Sequence, residues 1–220
     1  MPIDVAGARV ARVNELDALK SVMSRRRDVR AEFAGRPPNG DELRELLAAA
    51  HSAPSVGNSQ PWDFIVVDDT EILDGFASHV SECRRDYADS LDGERRTRFA
   101  PIKIEGIRES GLGIVVTYDP TRFGPNVLGR HTVDDAGVFS TICAIQNLWL
   151  TATALDLGVG WVSFYREPFL KDLLGIPAHV RPVAWLCVGH VTHLQDVPDL
   201  IRAGWNDRMR LDDLVHTNRW

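Results

Sequence analysis

The sequence predicts one domain of the α/β or α+β class, with more helix than strand. Its 220 residues lie above the usual domain size but below a clear two-domain length. Segments with helical periodicity alternate with four short apolar runs that are typical of strands. The composition, 44% hydrophobic and 25% charged, is that of a globular protein. It excludes disordered, collagen-like and disulfide-scaffold classes.

Apolar residues at spacings of three and four predict the helices. The first covers residues 9–23, and the second, DELRELLAAAHSA, follows the breaker GRPPNG with Asp41 as its expected N-cap. Residues 71–108 are polar and are expected to be helical. Residues 136–156 are apolar on all sides, which indicates a helix buried in the fold or in an interface. A shorter helix is expected in PFLKDLLG.

Four apolar runs predict the strands, namely FIVVDD, LGIVVTY, GVGWVSFY and RPVAWLCVGHV. Between the second and third of them lies the loop DPTRFGPNVLGRHTVDD. Loops of this length inside a compact domain are often functional. We therefore treat this loop as a candidate part of a binding site.

Charge, cysteine content and the absence of long apolar runs limit the kinds of partner and cofactor that we expect. The 25 basic and 31 acidic residues give a net charge of −6, which disfavours a nucleic-acid partner. The 3 cysteines form no CxxC pair, and no metal-ligand pattern is present, so we predict no metal site. The N-terminus has no signal-peptide pattern, and no apolar run approaches the roughly 18–20 residues of a membrane span. We expect a soluble, cytoplasmic protein without a membrane partner.

The segment SRRRDVRAEF is a candidate anion site. It holds Arg26, Arg27 and Arg30 close to one acid, Asp28. In a helix, Arg26 and Arg30 would share a face, and such a cluster suits a phosphate through forked contacts. A solvated basic face is the alternative. Among arginines, we expect Asp28 to keep a low pKa and to act as an ionised base or acceptor.

A second candidate is the loop SAPSVGNSQPW, between a helix and a strand. Ser55, Asn58 and Gln60 can form hydrogen bonds, and Gly57 lets backbone amides approach a ligand. An ordinary helix–strand connection is the alternative.

Four further residues in three segments are candidates on local grounds. Lys103 lies between isoleucines and could reach an electron-rich ligand edge, although an exposed helix lysine is the more common explanation. Gly129 and Arg130 in the long loop could form a second phosphate or lid element. Ser163 follows a predicted strand and could donate to a ligand. The glycines before it do not match the dinucleotide-binding fingerprint.

Taken together, these segments resemble the nitroreductase-like flavoprotein superfamily, through RRDVR, APSVGNSQPWDF and the apolar helix. Within it the chain resembles the flavin-fragmenting branch, the 5,6-dimethylbenzimidazole synthases. The pieces that carry this likeness are RRDVR, DPTRFGPNVLGRHT, STICAIQNLWLTATALDLGVGWVS, LLGIPAHVRPVAWLCVGH and DDLVHTNRW. They follow the family's order from about residue 20 to the C-terminus. Asp28 combined with Ser163 is the most specific match.

The resemblance implies a nitroreductase-like α+β fold with a central mixed sheet flanked by helices. It implies one domain over residues 1–220, with an N-terminal extension over about 1–20 and a C-terminal arm over about 195–220. It also implies an interlocked homodimer with FMN sites at the subunit interface.

The resemblance further implies which residues form the FMN site. Asp28 and Ser163 would be catalytic. The phosphate would be held by Arg26, Arg27, Arg30 and Arg208. The other expected cofactor-binding residues are Pro54, Ser55, Val56, Gly57, Asn58, Gln60, Lys103, Gly129, Arg130 and Val162.

The implied activity is the O2-dependent fragmentation of reduced FMN to 5,6-dimethylbenzimidazole, the lower ligand of cobalamin, and erythrose 4-phosphate. FMNH2 would be a substrate supplied by a separate flavin reductase, and O2 the co-substrate. An NAD(P)H-dependent nitro or quinone reductase is the first alternative. It is favoured by Asn58 followed by Gln60-Pro61-Trp62, which matches ordinary nitroreductases. A flavin-binding protein without turnover is the second alternative.

Overall fold

A computed structural model describes the backbone of residues 5–220 and the side chains of residues 14–220. The helices are α1 (Val5–Arg25), α2 (Gly40–His51), α3 (Thr70–Ser90), α4 (Gly93–Phe99), α5 (Ile107–Ser110), α6 (Ala136–Ala154), α7 (Glu167–Leu174) and α8 (Asp199–Arg202). The strands are β1 (Trp62–Val67), β2 (Gly113–Tyr118), β3 (Leu157–Val162) and β4 (Arg181–His190). Short 3-10 helices cover Val56–Asn58 and Leu211–Leu214. All four predicted strands are present.

The strands form one sheet in the order β1-β2-β4-β3, and every pairing of neighbours is antiparallel. The expectation of a mixed sheet is therefore wrong for the described strands. The connection from β3 to β4 covers residues 163–180 and includes α7, and it returns the chain in the opposite direction. A parallel contact occurs at the isolated bridge between Asp28 and Val159.

Helices cover both faces of this sheet. Along β4, Leu186 packs toward α2 and α6, whereas Trp185 and Cys187 point to the opposite core beneath α3. The rings of Phe76 and Trp185 stack there with centroids 3.8 Å apart. A strand buried on both faces carries apolar residues without alternation. This explains why β2 and β4 are continuous apolar runs in the sequence.

Helix boundaries differ from the predictions where capping and proline intervene. The N-cap of α2 is Asn39 rather than Asp41, because the Asn39 side chain accepts from two backbone amides and Glu42 completes a capping box. The region 71–108 is three helices instead of one. Its second helix, α4, ends just before Pro101, a residue that cannot continue a helix.

The long apolar helix α6 is buried on one side only. Ala144 and Leu148 pack into the core, whereas 55% of Phe139 and 37% of Ile142 remain exposed. Leu16 and Leu19 of α1 are also about half exposed. Across the described residues, no helix combines the length and apolarity needed to cross a membrane.

Candidate functional site

The arginine-rich segment is extended, not helical. Helix α1 ends at Arg25, and the backbone amide of Val29 then donates to the Val159 carbonyl of β3 at 2.9 Å. In extended backbone, alternate side chains point the same way. Asp28 and Arg30 therefore share one side of the segment, whereas Val29 enters the core. A helix that places Arg26 and Arg30 on one face, as considered from the sequence, is therefore wrong.

Gly160 of β3 makes this arrangement possible. A Cβ atom at this position would lie 2.2 Å from the Val29 carbonyl oxygen and 3.0 Å from Nη1 of Arg30. The segment can approach β3 this closely because residue 160 has no side chain.

A cavity of about 360 Å³ opens beside this segment. Its volume is within the range of small-molecule sites. Its polar side chains are Arg27, Asp28, Arg30, Glu32, Lys103, Ser163, His193, Gln195 and Asp199. Its aromatic side chains are Tyr87, Phe99, Phe164 and Trp205. Charged groups and flat apolar rings thus line the same space.

Five predicted site residues meet at this cavity, and we call them the cavity group: Arg27, Asp28, Arg30, Lys103 and Ser163. Ser163 follows directly after β3. Lys103 forms an ion pair with Glu109. Val162 precedes Ser163 but is fully buried in the core, so its side chain does not reach the cavity.

Asp28 and Arg30 form a two-point ion pair. Nη1 and Nη2 of Arg30 donate to the two Asp28 carboxylate oxygens, each at 2.5 Å. The Trp161 amide donates to Asp28 Oδ1 at 2.9 Å, and Arg30 Nη2 donates to the Trp161 carbonyl at 3.1 Å. Both side chains are therefore fixed to each other and to β3.

The pKa of Asp28 is raised, which corrects the expectation of a low value. Removal of the carboxylate from water has the largest influence on this pKa and raises it. The Arg30 charge and the hydrogen bond from the Trp161 amide lower the pKa, but by less. The side chain still has 43% of its surface accessible on the cavity side. A carboxyl group with a raised pKa is better placed to exchange a proton near neutral pH.

The other two arginines have different surroundings. Arg27 donates to the backbone carbonyls of Ser24, Arg26 and Asp196 at 2.5–2.8 Å, and its buried Nε atom has no partner. Arg26 lies over the Trp149 ring, 4.9 Å from the centroid. Arg27 therefore connects the end of α1 to the chain after β4.

The remaining predicted residues lie elsewhere, in two loops that contact each other. We call residues 54–60 and 127–130 the loop group. A Cβ atom on Gly57, where φ is +53°, would lie 2.8 Å from the Leu128 carbonyl oxygen. One on Gly129 would lie 3.3 Å from the Val56 side chain. Within the described chain, the loop group does not line the cavity.

Hydrogen bonds within the loop group and to neighbouring segments hold it in place, including one from the Val56 amide to Ser140 Oγ of α6 at 3.0 Å. Ser55 Oγ accepts from the Gln60 amide at 3.0 Å, and Gln60 Nε2 donates to Asn58 Oδ1 at 3.1 Å. Arg130 donates to two backbone carbonyls of the long loop at 2.9 and 2.7 Å. Arg208 is exposed in the chain after α8, outside the cavity lining.

Sequence reasoning missed a polar network in the cavity wall. Gln195 Nε2 donates to Glu32 Oε1 at 3.0 Å and lies 3.0 Å from His193 Nε2. Burial raises the pKa of Glu32, but hydrogen bonds from Gln195 and the backbone outweigh it, and the net direction is down. Burial and the nearby Glu32 raise the pKa of Asp199. Alternation from Asp28 would have indicated Glu32, but only in an extended segment; the other residues carry no sequence signal.

Comparison with known proteins decides the family. The model of the nitroreductase family matches residues 23–190. The chain belongs to the nitroreductase family.

Two curated relatives of this chain are 5,6-dimethylbenzimidazole synthases. The one from Rhodospirillum rubrum is 37% identical over 192 residues, covering 87% of this chain and 90% of the relative. The one from Rhodobacter capsulatus is 34% identical over 193 residues, covering 88% and 93%. The predicted resemblance is therefore confirmed.

Solved structures of the nitroreductase type confirm the fold. Iodotyrosine deiodinase bound to FMN and 3-iodo-L-tyrosine superposes with a TM-score of 0.71 at 19% identity, over 92% of this chain and 100% of that one. A BluB-like flavoprotein from Clostridium difficile superposes with a TM-score of 0.69 at 18% identity, over 91% and 99%.

Proposed function

We propose that this protein is a 5,6-dimethylbenzimidazole synthase, which binds reduced FMN and fragments it with O2 to 5,6-dimethylbenzimidazole and erythrose 4-phosphate. The observation that carries the proposal is that Asp28 and Ser163 line one cavity. These two residues, from distant parts of the chain, are the pair that the resemblance makes catalytic. The identity to curated synthases supports the same conclusion.

The cavity fits a flavin mononucleotide. Arg30 and Lys103 place cationic groups at the cavity that suit phosphate and ring oxygens. On the other side, the Tyr87 and Phe99 rings meet edge to face with centroids 5.0 Å apart, and Phe164 extends this apolar wall. A flat ring can pack against such a wall while its polar edge reaches the charged side.

Reduced FMN, when bound, supplies both the electrons for O2 and the carbon atoms of the benzimidazole. The chain supplies the surroundings. We assign proton transfer to the Asp28 carboxyl, whose pKa is raised. We assign orientation of the flavin edge to the Ser163 hydroxyl. The apolar wall limits the water around these groups.

We also propose that the working unit is a homodimer in which the loop group of one copy completes the cavity of the other. In one chain the two groups of predicted ligands lie apart. The exposed apolar residues of α6 and the C-terminal chain, such as Phe139, Leu211 and Trp220, suit a surface covered by a second copy. A separate flavin reductase would supply FMNH2.

The test is to mix the purified protein with chemically reduced FMN in air and to measure 5,6-dimethylbenzimidazole and FMN by mass. We expect product to appear in step with FMN loss. Asp28→Asn should keep FMN binding and lower product formation at least about 100-fold. Asp156→Asn is the matched control, since it removes the same charge from an exposed pair with Arg25.

Recovery of intact, reoxidised FMN would contradict the synthase. NADH-driven turnover of nitro or quinone acceptors would then identify the reductase alternative. Full product yield from Asp28→Asn would contradict the role assigned to Asp28 but not the synthase activity.

A further inference from the structure

The Arg30 guanidinium has no free two-point face. Nη2 uses both of its hydrogens, one on Asp28 and one on the Trp161 carbonyl, and Nη1 donates to the second Asp28 oxygen. A forked contact with an incoming anion needs two adjacent N–H groups. One of the present partners must leave before a ligand can be held in this way.

Asp28 is the partner able to leave. The Trp161 carbonyl belongs to β3, which is paired along its length with β4, so it cannot withdraw without breaking the sheet. The Asp28 carboxylate can turn about its side-chain bonds, and 43% of the side chain already faces open space. Arg30 itself is only 15% exposed and is confined against Gly160.

We propose that an anionic group of the bound flavin displaces the Asp28 carboxylate from Arg30, so that ligand binding itself releases the catalytic carboxyl for proton transfer. This inference rests on the proposed function and adds a specificity device to it. A neutral ligand leaves the pair closed, whereas an anionic one exchanges with Asp28. The anion is either the phosphate or the pyrimidine edge of the reduced ring.

Because Asp28 would compete with the ligand for Arg30, removal of its charge should strengthen ligand binding. Asp28→Asn should bind oxidised FMN about three- to tenfold more tightly than the original protein if the phosphate is the displacing anion, and should show this gain only with reduced FMN if the ring edge is. Oxidised FMN is used because it binds without turnover, and quenching of flavin fluorescence reports its affinity. Asp156→Asn removes the same charge next to Arg25 and should leave the affinity unchanged.

A double-mutant cycle separates exchange from a general charge effect. Arg30→Ala should weaken FMN binding, and adding Asp28→Asn in that background should give no gain, because no guanidinium remains to be released. Thermal melting of each variant checks that the fold is intact.

Riboflavin and reduced FMN identify the anion. A gain for oxidised FMN that riboflavin lacks assigns the exchange to the phosphate. A gain confined to reduced flavins assigns it to the ring edge.

Unchanged or weaker binding of both oxidised and reduced FMN by Asp28→Asn would overturn the exchange. A gain that persists without Arg30 would overturn it too, since it would reflect charge alone. If the original protein binds no FMN at all, the proposed function fails instead. The two failures are therefore distinguishable.

Discussion

The cavity group and the loop group were predicted as parts of one site, but they are built on different principles. The cavity group is charged except for Ser163, and a contact from a distant part of the chain holds it in place, since the Trp161 amide donates to Asp28. The loop group is uncharged except for Arg130, and several of its hydrogen bonds join near neighbours such as Ser55 and Gln60. We expect the cavity group to supply the chemistry of the proposed site and the loop group to supply its shape.

The difference also bears on assembly. A loop held in place by hydrogen bonds presents a preformed surface, and it can serve a ligand held by another chain without rearranging. The cavity group by contrast includes a pair, Asp28 with Arg30, that we propose opens on binding. We therefore expect the two groups to respond differently to substitution.

Gly160→Ala should have the largest effect, because the new Cβ would lie 2.2 Å from the Val29 carbonyl oxygen. We expect the free energy of unfolding to fall by about 3 kcal/mol or more, with loss of FMN binding. Chemical denaturation measures this. Gly93→Ala is the control, since a Cβ there meets nothing within 4 Å. Equal behaviour of the two variants would show that the close approach at β3 does not hold the cavity group.

Gly57→Ala should have an intermediate effect. The positive φ and the nearby Leu128 backbone predict a loss of about 1–2 kcal/mol in unfolding free energy and a displaced loop group. In a dimer with shared sites, the homodimer of Gly57→Ala subunits and the homodimer of Arg30→Ala subunits should each bind FMN more weakly than the original protein.

Mixing these two kinds of subunit sharpens the comparison further. A heterodimer isolated through two different tags would contain one site with both defects and one site with neither. We expect it to bind one FMN per dimer, measured by flavin absorbance. No recovery of binding would contradict a site shared between copies.

The smallest effect concerns pH. The Asp28 pKa is raised above its ordinary value of 3.8, so the folded protein holds this proton to higher pH than the unfolded chain does. The original protein should therefore gain stability relative to Asp28→Asn as pH falls through the folded pKa toward 3.8. The deficit caused by Gly57→Ala should stay constant, because residues 54–60 contain no titratable side chain. Denaturation midpoints between pH 7 and 4 test both statements; parallel curves for Asp28→Asn would contradict the first.

Much of the fold could be predicted from local pattern. The four strands and α1, α2, α6 and α7 follow from apolar spacing, because burial of one face or both faces leaves its period in the chain. The direction of the strands could not be predicted in this way, since an antiparallel sheet covered on both faces has the same apolar runs as a parallel one. The exact helix ends could not be predicted, because they depend on single residues such as Asn39 and Pro101. Near neighbours such as Asp41 have a similar propensity to cap a helix.

The family could be recognised from the sequence, which also predicts Asp28 and Ser163 as members of one site. The tertiary structure decided that Asp28 and Val29 lie against β3, whereas Phe33 and Ala34 lie against the end of β4. It also decided that Arg30 binds Asp28 and the Trp161 carbonyl, and that Glu32 and Gln195 complete the cavity wall. It also decided the direction of the Asp28 pKa. The physical reason is that hydration, close approach and ion pairing depend on distances between residues far apart in the chain. Local periodicity carries no information about those distances.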